Sequence, residues 1–308
     1  MNDRWPLRLT LALLLFILII VGFQSSRPSS VSADASSTIP SGATTTLAST
    51  TTTVAINRTV FAPPGRGCHV NLDIVTSTAT SPSHPTLPLG HCTVLEVGDS
   101  IGNDLGWALT RELAGTPGLR LVQDDKSSTG LANAWFYNWP VHLKTFLAQS
   151  RPELTVVSFG ANDEQGMEVN GHAVAFGTAA WKADYLKLVG QIDHMITATG
   201  SYVLWVGLPI VAPNGYRQGI NYLNSLYRQV AVRTPGVSFL ATWDLLANTH
   251  GQFENAARVN GVMSVLRASD GIHFSYVGEN VYATFVARSI GAIYHVVLTP
   301  KSPMVITH

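Results

Sequence analysis

From Thr93 onward the chain alternates short apolar runs with longer amphipathic stretches, and this alternation narrows the folds open to it more than any other feature. The runs at Thr93–Val97, Leu119–Val122, Leu154–Phe159, Tyr202–Leu208 and Val237–Leu240 read as five strands. The stretches Gly102–Ala114, Phe136–Gln149, Ala179–Thr199, Tyr222–Val232 and Tyr276–Ile290 read as helices. In the third of these, Leu186, Val189, Ile192, Met195 and Ile196 recur at helical spacing and fall on one face. Strands that alternate with helices predict an α/β fold, a parallel five-stranded sheet with helices on both faces. Right-handed crossovers leave few topologies, and the flavodoxin-like, doubly wound strand order 2-1-3-4-5 is the one expected. Ligands of such sheets bind beyond the carboxyl ends of the strands, near the switch between the first and the third.

The chain before Thr93 is of another kind. Arg4 and Arg8 precede an uncharged, largely apolar run from Leu9 to Phe23, so residues 1–24 read as a signal peptide or a signal anchor. The run is close to the shortest that spans a hydrocarbon core of about 30 Å. Ala33-Asp34-Ala35 offers a cleavage site, but far from the apolar run, which favours an uncleaved anchor with Arg4 and Arg8 on the cytoplasmic side. Residues 25–59 are rich in Ser, Thr, Ala and Pro and read as a flexible stalk, because they hold too little apolar surface to offset the entropy of ordering. Residues 60–92 are Pro-rich and irregular, and residues 93–308 are the expected α/β domain. The two cysteines, Cys68 and Cys92, are an even pair in a chain with an export signal and are expected to form a disulfide. The protein is thus expected outside the cell, anchored to the membrane by its N-terminal segment or secreted. Nineteen Lys plus Arg balance nineteen Asp plus Glu, so no basic footprint points to nucleic acid.

Three short motifs carry chemistry. Gly98-Asp99-Ser100 stands at the carboxyl end of the first strand, where the following helix would aim its amides at the serine. Gly160-Ala161-Asn162-Asp163 stands after the third strand, and its Asn162 amide can donate into the same crevice. Asp270-Gly271-Ile272-His273 precedes the last helix. A serine hydroxyl needs an adjacent base, and the base needs an orienting partner; His273 and Asp270 suit those two parts. Each motif alone also reads as an ordinary turn or helix cap. Their force lies in falling, in order, on one edge of the expected sheet.

That order and placement resemble the SGNH/GDSL hydrolase superfamily over about Thr93 to Ile293. Gly98-Asp99-Ser100 matches its first block, Gly130 in Ser127-Ser128-Thr129-Gly130-Leu131 its second, Gly160 to Asp163 its third and Asp270 to His273 its fifth. Ile101 stands where the family usually has leucine. The Ser-Ser-Thr-Gly-Leu run and the strand end Trp205-Val206-Gly207-Leu208-Pro209 further resemble an exported bacterial subfamily. The resemblance implies Ser100 as nucleophile, His273 as general base and Asp270 as its orienting partner. It implies an oxyanion hole made of the Ser100 and Gly130 backbone amides and the Asn162 side chain. By the same analogy Asp99 and Asp163 hold loops rather than substrate.

Trp135 and Trp139 follow the Gly130 loop, and with Trp205 they are candidate substrate-binding aromatics; the alternative is that they belong to the core. The implied chemistry is acyl transfer from an ester, on O-acetyl groups of an envelope or extracellular carbohydrate, with no metal and no cofactor. Water as acceptor makes an esterase, and a polysaccharide or peptidoglycan hydroxyl makes an O-acyltransferase on the same residues. A non-catalytic carbohydrate-binding module on the same scaffold is the reading of another class.

Overall fold

The computed structural model describes residues 68–70, 89–294 and 296–307. The expected signal or anchor, the stalk and most of the Pro-rich segment lie outside the described residues. Strands β1 (His69–Val70), β2 (Leu89–Gly98), β3 (Leu119–Gln123) and β4 (Leu154–Ser158) are joined in the main sheet by β7 (Tyr202–Val206) and β8 (Val237–Leu240). The helices are α1 (Ser100–Leu113), α2 (Trp139–Ser150), α3 (Ala179–Thr197), α4 (Asn214–Ala231) and α5 (Tyr276–Tyr294). Two hairpins lie outside that sheet, β5 (Met167–Val169) with β6 (His172–Val174) and β9 (Ala256–Val259) with β10 (Val262–Val265).

The parallel part of the sheet runs β3-β2-β4-β7-β8, which is the expected 2-1-3-4-5 order. Strand β4 is buried along its whole length, and all but the first residue of β7 is buried, as befits strands covered on both faces. The buried face of α3 is Trp181, Tyr185, Val189, Ile192, Asp193 and Ile196, with Leu186 and Met195 of the expected face only half-buried. Strand β2 begins earlier than its apolar run, because its first residues pair antiparallel with β1. Cys68 and Cys92 are joined, with Cα atoms 4.4 Å apart, which fastens the start of β2 to the segment before it. Among the described residues no helix is long and apolar enough to cross a membrane.

Two helices and two hairpins differ most from the sequence reading. Helix α2 begins at Trp139, not Phe136, because the Asn138 side chain caps it by accepting from the Val141 amide and Pro140 sits in its first turn. Helix α4 begins at Asn214, eight residues before the expected Tyr222, and buries Gly219, Ile220 and Leu223. The hairpins were not expected at all. Each turns on an Asn-Gly pair with positive φ at both residues, 51° and 79° at Asn170-Gly171 and 49° and 84° at Asn260-Gly261. That is the turn whose twist matches the strands it joins.

Candidate active site

Strand β2 ends at Gly98, and Ser100 opens α1 directly. A side chain at Gly98 has no room: a Cβ there would lie 2.4 Å from the Ser158 carbonyl oxygen and 2.8 Å from the Gly102 Cα. The absence of a side chain thus lets β2 and β4 close up beneath the serine. Asp99 caps α1, its Oδ1 accepting from the Ile101 amide at 2.9 Å. Its Oδ2 accepts from the amides of Gly160 and Ala161 at 2.9 and 2.8 Å, which ties the loop after β4 to the loop after β2. Burial pushes the Asp99 carboxyl up to about 7 against the pull of these amides.

His273 lies between β10 and α5, 173 residues from Ser100, and its Nε2 is 2.8 Å from the Ser100 Oγ. Its Nδ1 is 2.6 Å from Asp270 Oδ2. A carboxylate only accepts, so Nδ1 carries the proton and Nε2 is left to accept from the serine hydroxyl. The other Asp270 oxygen accepts from the amides of Ile272 and His273 at 2.8 and 3.0 Å. Burial pushes the Asp270 carboxyl up, but the hydrogen bonds from the His273 ring and from these two amides outweigh it and hold it below its ordinary value. Asp270 therefore stays ionised into acid solution.

The loops that carry Gly130 and Asn162 are stitched together. The Asn162 Nδ2 donates to the Thr129 carbonyl at 2.9 Å, which fixes the orientation of the amide and engages one of its two N–H groups. Gly130 abuts Asp163 so closely that a Cβ would lie 2.2 Å from its Oδ1. That Asp163 oxygen accepts from the Ala132 amide at 2.8 Å, and the other accepts from the Tyr185 hydroxyl at 2.7 Å. Burial raises the Asp163 carboxyl, and these donors draw it back. Asp99 and Asp163 thus hold loops, as the sequence suggested.

The aromatic readings need correction. Trp139 is buried and donates from its indole Nε1 to the Thr129 hydroxyl, so it supports the Gly130 loop from below. Trp205 is fully buried, donates to Asp193 and stacks on Tyr227. Neither offers a face to a substrate, because both lie where the sheet meets its helices. Trp135 is 81 % exposed, beside the half-exposed Phe136.

Three further residues act on the site without having been read from the sequence. Asp104, on α1, accepts from the Phe274 amide; burial pushes its carboxyl up to about 6, while that amide and His273 pull it down. Arg267 is 2 % exposed and donates to the carbonyls of Ile272 and Ile210, both at 2.6 Å. Tyr216 donates to the Ala161 carbonyl. Tyr216 also lines, with Ile101, Ala161, Leu208, Ile220 and Ile272, an apolar cavity of about 10 Å³, room for roughly one water molecule.

A parallel sheet in this order, with the serine after β2 and the Asp-x-x-His pair before the last helix, is the arrangement that the resemblance to SGNH/GDSL hydrolases implied. The chain belongs to the family described as "Protein of unknown function (DUF459)", whose model matches residues 93–289. No curated protein sequence matches it. Its fold is similar to that of a lipase/acylhydrolase from Enterococcus faecalis, with 18% identity over 66% of this chain and 96% of the other, at a TM-score of 0.46. It is similar to an acetylxylan esterase from Geobacillus stearothermophilus, solved as a catalytic mutant, at 14% identity over 67% and 97% of the chains and a TM-score of 0.46. It is also similar to an alpha/beta hydrolase enzyme from the metagenome of Lake Arreo, Spain, at 16% identity over 66% and 96% of the chains and a TM-score of 0.49.

Proposed function

We propose that the protein is an exported serine hydrolase that removes small acyl groups, acetyl above all, from an envelope or extracellular carbohydrate. The observation that carries this reading is the line of two hydrogen bonds from Ser100 through His273 to Asp270, at 2.8 and 2.6 Å. In it the Ser100 hydroxyl attacks the ester carbonyl while His273 Nε2 takes its proton. Asp270, ionised, holds the ring and balances the charge that the ring acquires. The oxyanion is met by the Ser100 and Gly130 amides and by the Asn162 N–H that Thr129 does not use. His273 then returns the proton to the leaving alkoxide, and water releases the acyl-enzyme by the reverse sequence.

The exposed Trp135 indole supports a sugar ring as the leaving group's body. The Cys68–Cys92 disulfide is compatible with export. The test is turnover of p-nitrophenyl acetate and release of acetate from an O-acetylated polysaccharide by the full-length protein. Both are expected in the wild type and absent in Ser100→Ala; a wild type that binds the polysaccharide but releases nothing would make it a binding module instead.

A further inference from the structure

Asp270 and His273 are surface groups, their side chains 44% and 39% exposed. Packing around the side chains is therefore not what sets the imidazole 2.8 Å from the Ser100 Oγ; the backbone that carries them must be held. It is held on both sides of His273. The carbonyl of the preceding residue, Ile272, accepts from the buried Arg267 guanidinium at 2.6 Å. The amide of the following residue, Phe274, donates to Asp104 Oδ2 at 3.2 Å. The same guanidinium lies 4.5 Å from the centre of the Phe274 ring and reaches the Ile210 carbonyl with its other arm, so this side is anchored to the loop after β7.

The Asp104 side differs, because it is anchored to the nucleophile's own helix. Asp104 is four residues after Ser100 on α1, one turn along the same face. A helical turn is stiff. Whatever grips the His273 backbone from that turn therefore fixes the imidazole relative to the hydroxyl, and not merely relative to the fold. We propose that Asp104 is a positioning residue, which registers His273 against Ser100 by accepting the hydrogen bond of the Phe274 amide. The inference rests on Ser100 and His273 being the catalytic pair. It concerns an acceptor oxygen, so an amide oxygen in place of the carboxylate should serve.

The test is steady-state kinetics of the full-length protein on p-nitrophenyl acetate, with thermal melts to confirm folding. Asp104→Ala is expected to lower kcat about 10- to 100-fold at unchanged KM, the size of effect that follows a misplaced reacting group. Asp104→Asn is expected to keep kcat within about threefold, since it retains the acceptor. An alanine variant as fast as the wild type, an asparagine variant as slow as alanine, or a change confined to KM would each overturn the proposal. Turnover that survives Ser100→Ala would overturn the catalytic pair itself, and this inference with it. Hydrogen exchange of the Phe274 amide in the wild-type protein needs no substitution. Protection is expected, and exchange at the rate of a free amide would overturn the tie even if the variants fail to fold.

Discussion

Replacing Asp99 by asparagine sets two opposed effects against each other, and pH separates them. The carboxyl is fully buried and accepts three amide hydrogen bonds, from Ile101, Gly160 and Ala161. An asparagine whose oxygen faces Gly160 and Ala161 turns its NH2 group towards the Ile101 amide, which leaves that donor unmet at a cost of about 1–3 kcal/mol. Asparagine also removes a group whose ionisation the fold opposes. The Asp99 carboxyl is raised from 3.8 to about 7 in the folded protein, chiefly by burial. Its contribution to stability is therefore complete below the unfolded value and is lost as pH rises through about 7. Between pH 5 and pH 8 the loss covers roughly two pH units, or about 3 kcal/mol. The hydrogen-bond penalty is the same at both pH values, so it cancels in the difference. Urea unfolding of the full-length protein and of Asp99→Asn, followed by tryptophan fluorescence, should show the variant gaining about 3 kcal/mol relative to wild type between pH 5 and pH 8. Parallel pH dependences for the two proteins would refute the reasoning.

Asn162→Ala should lower kcat on p-nitrophenyl acetate by about 100- to 1,000-fold with little change in KM, as expected for a donor that meets charge only in the transition state. Gly130→Ala drives a methyl group into Asp163 and should lower both the melting temperature and the turnover, whereas a freely tolerated alanine would contradict the close approach of the two loops. Reduction of the Cys68–Cys92 bridge, whose partners are 24 residues apart, should lower stability by about 3 kcal/mol, read as a shift of the urea midpoint. Trp135→Ala should raise KM for an O-acetylated polysaccharide several-fold and leave p-nitrophenyl acetate turnover unchanged; equal effects on both substrates would remove Trp135 from carbohydrate binding.

The fold was legible where one periodicity dominated. Strands β4, β7 and β8 announce themselves as apolar runs because parallel strands are buried on both faces, and the sheet order follows from their alternation with helices. Helix α4 was read too short because Asn214, Gly215 and Gly219 depress helix propensity, although Tyr216, Ile220 and Leu223 keep its spacing. The hairpins were hidden by their brevity, yet Val-Asn-Gly occurs in both, at residues 169–171 and 259–261, and is the turn signal that would have found them. The meeting of Ser100, Asp270 and His273 was legible because a hydroxyl, an imidazole and a carboxylate stood in motifs ordered along one edge of the expected sheet. Asp104, Arg267 and Tyr216 were not, because each acts through backbone groups of a segment distant in the chain, and no local pattern records such a contact. Trp139 and Trp205 misled because an indole suits a sugar face and a core equally, and burial alone decides between them.

The most direct measurement of the central claim is to treat the full-length protein with a fluorophosphonate and map the adduct by mass spectrometry. A single adduct on the Ser100 hydroxyl is expected, lost in Ser100→Ala and formed far more slowly in His273→Ala. An adduct on another residue, or labelling indifferent to the loss of His273, would contradict an activated serine at the end of β2.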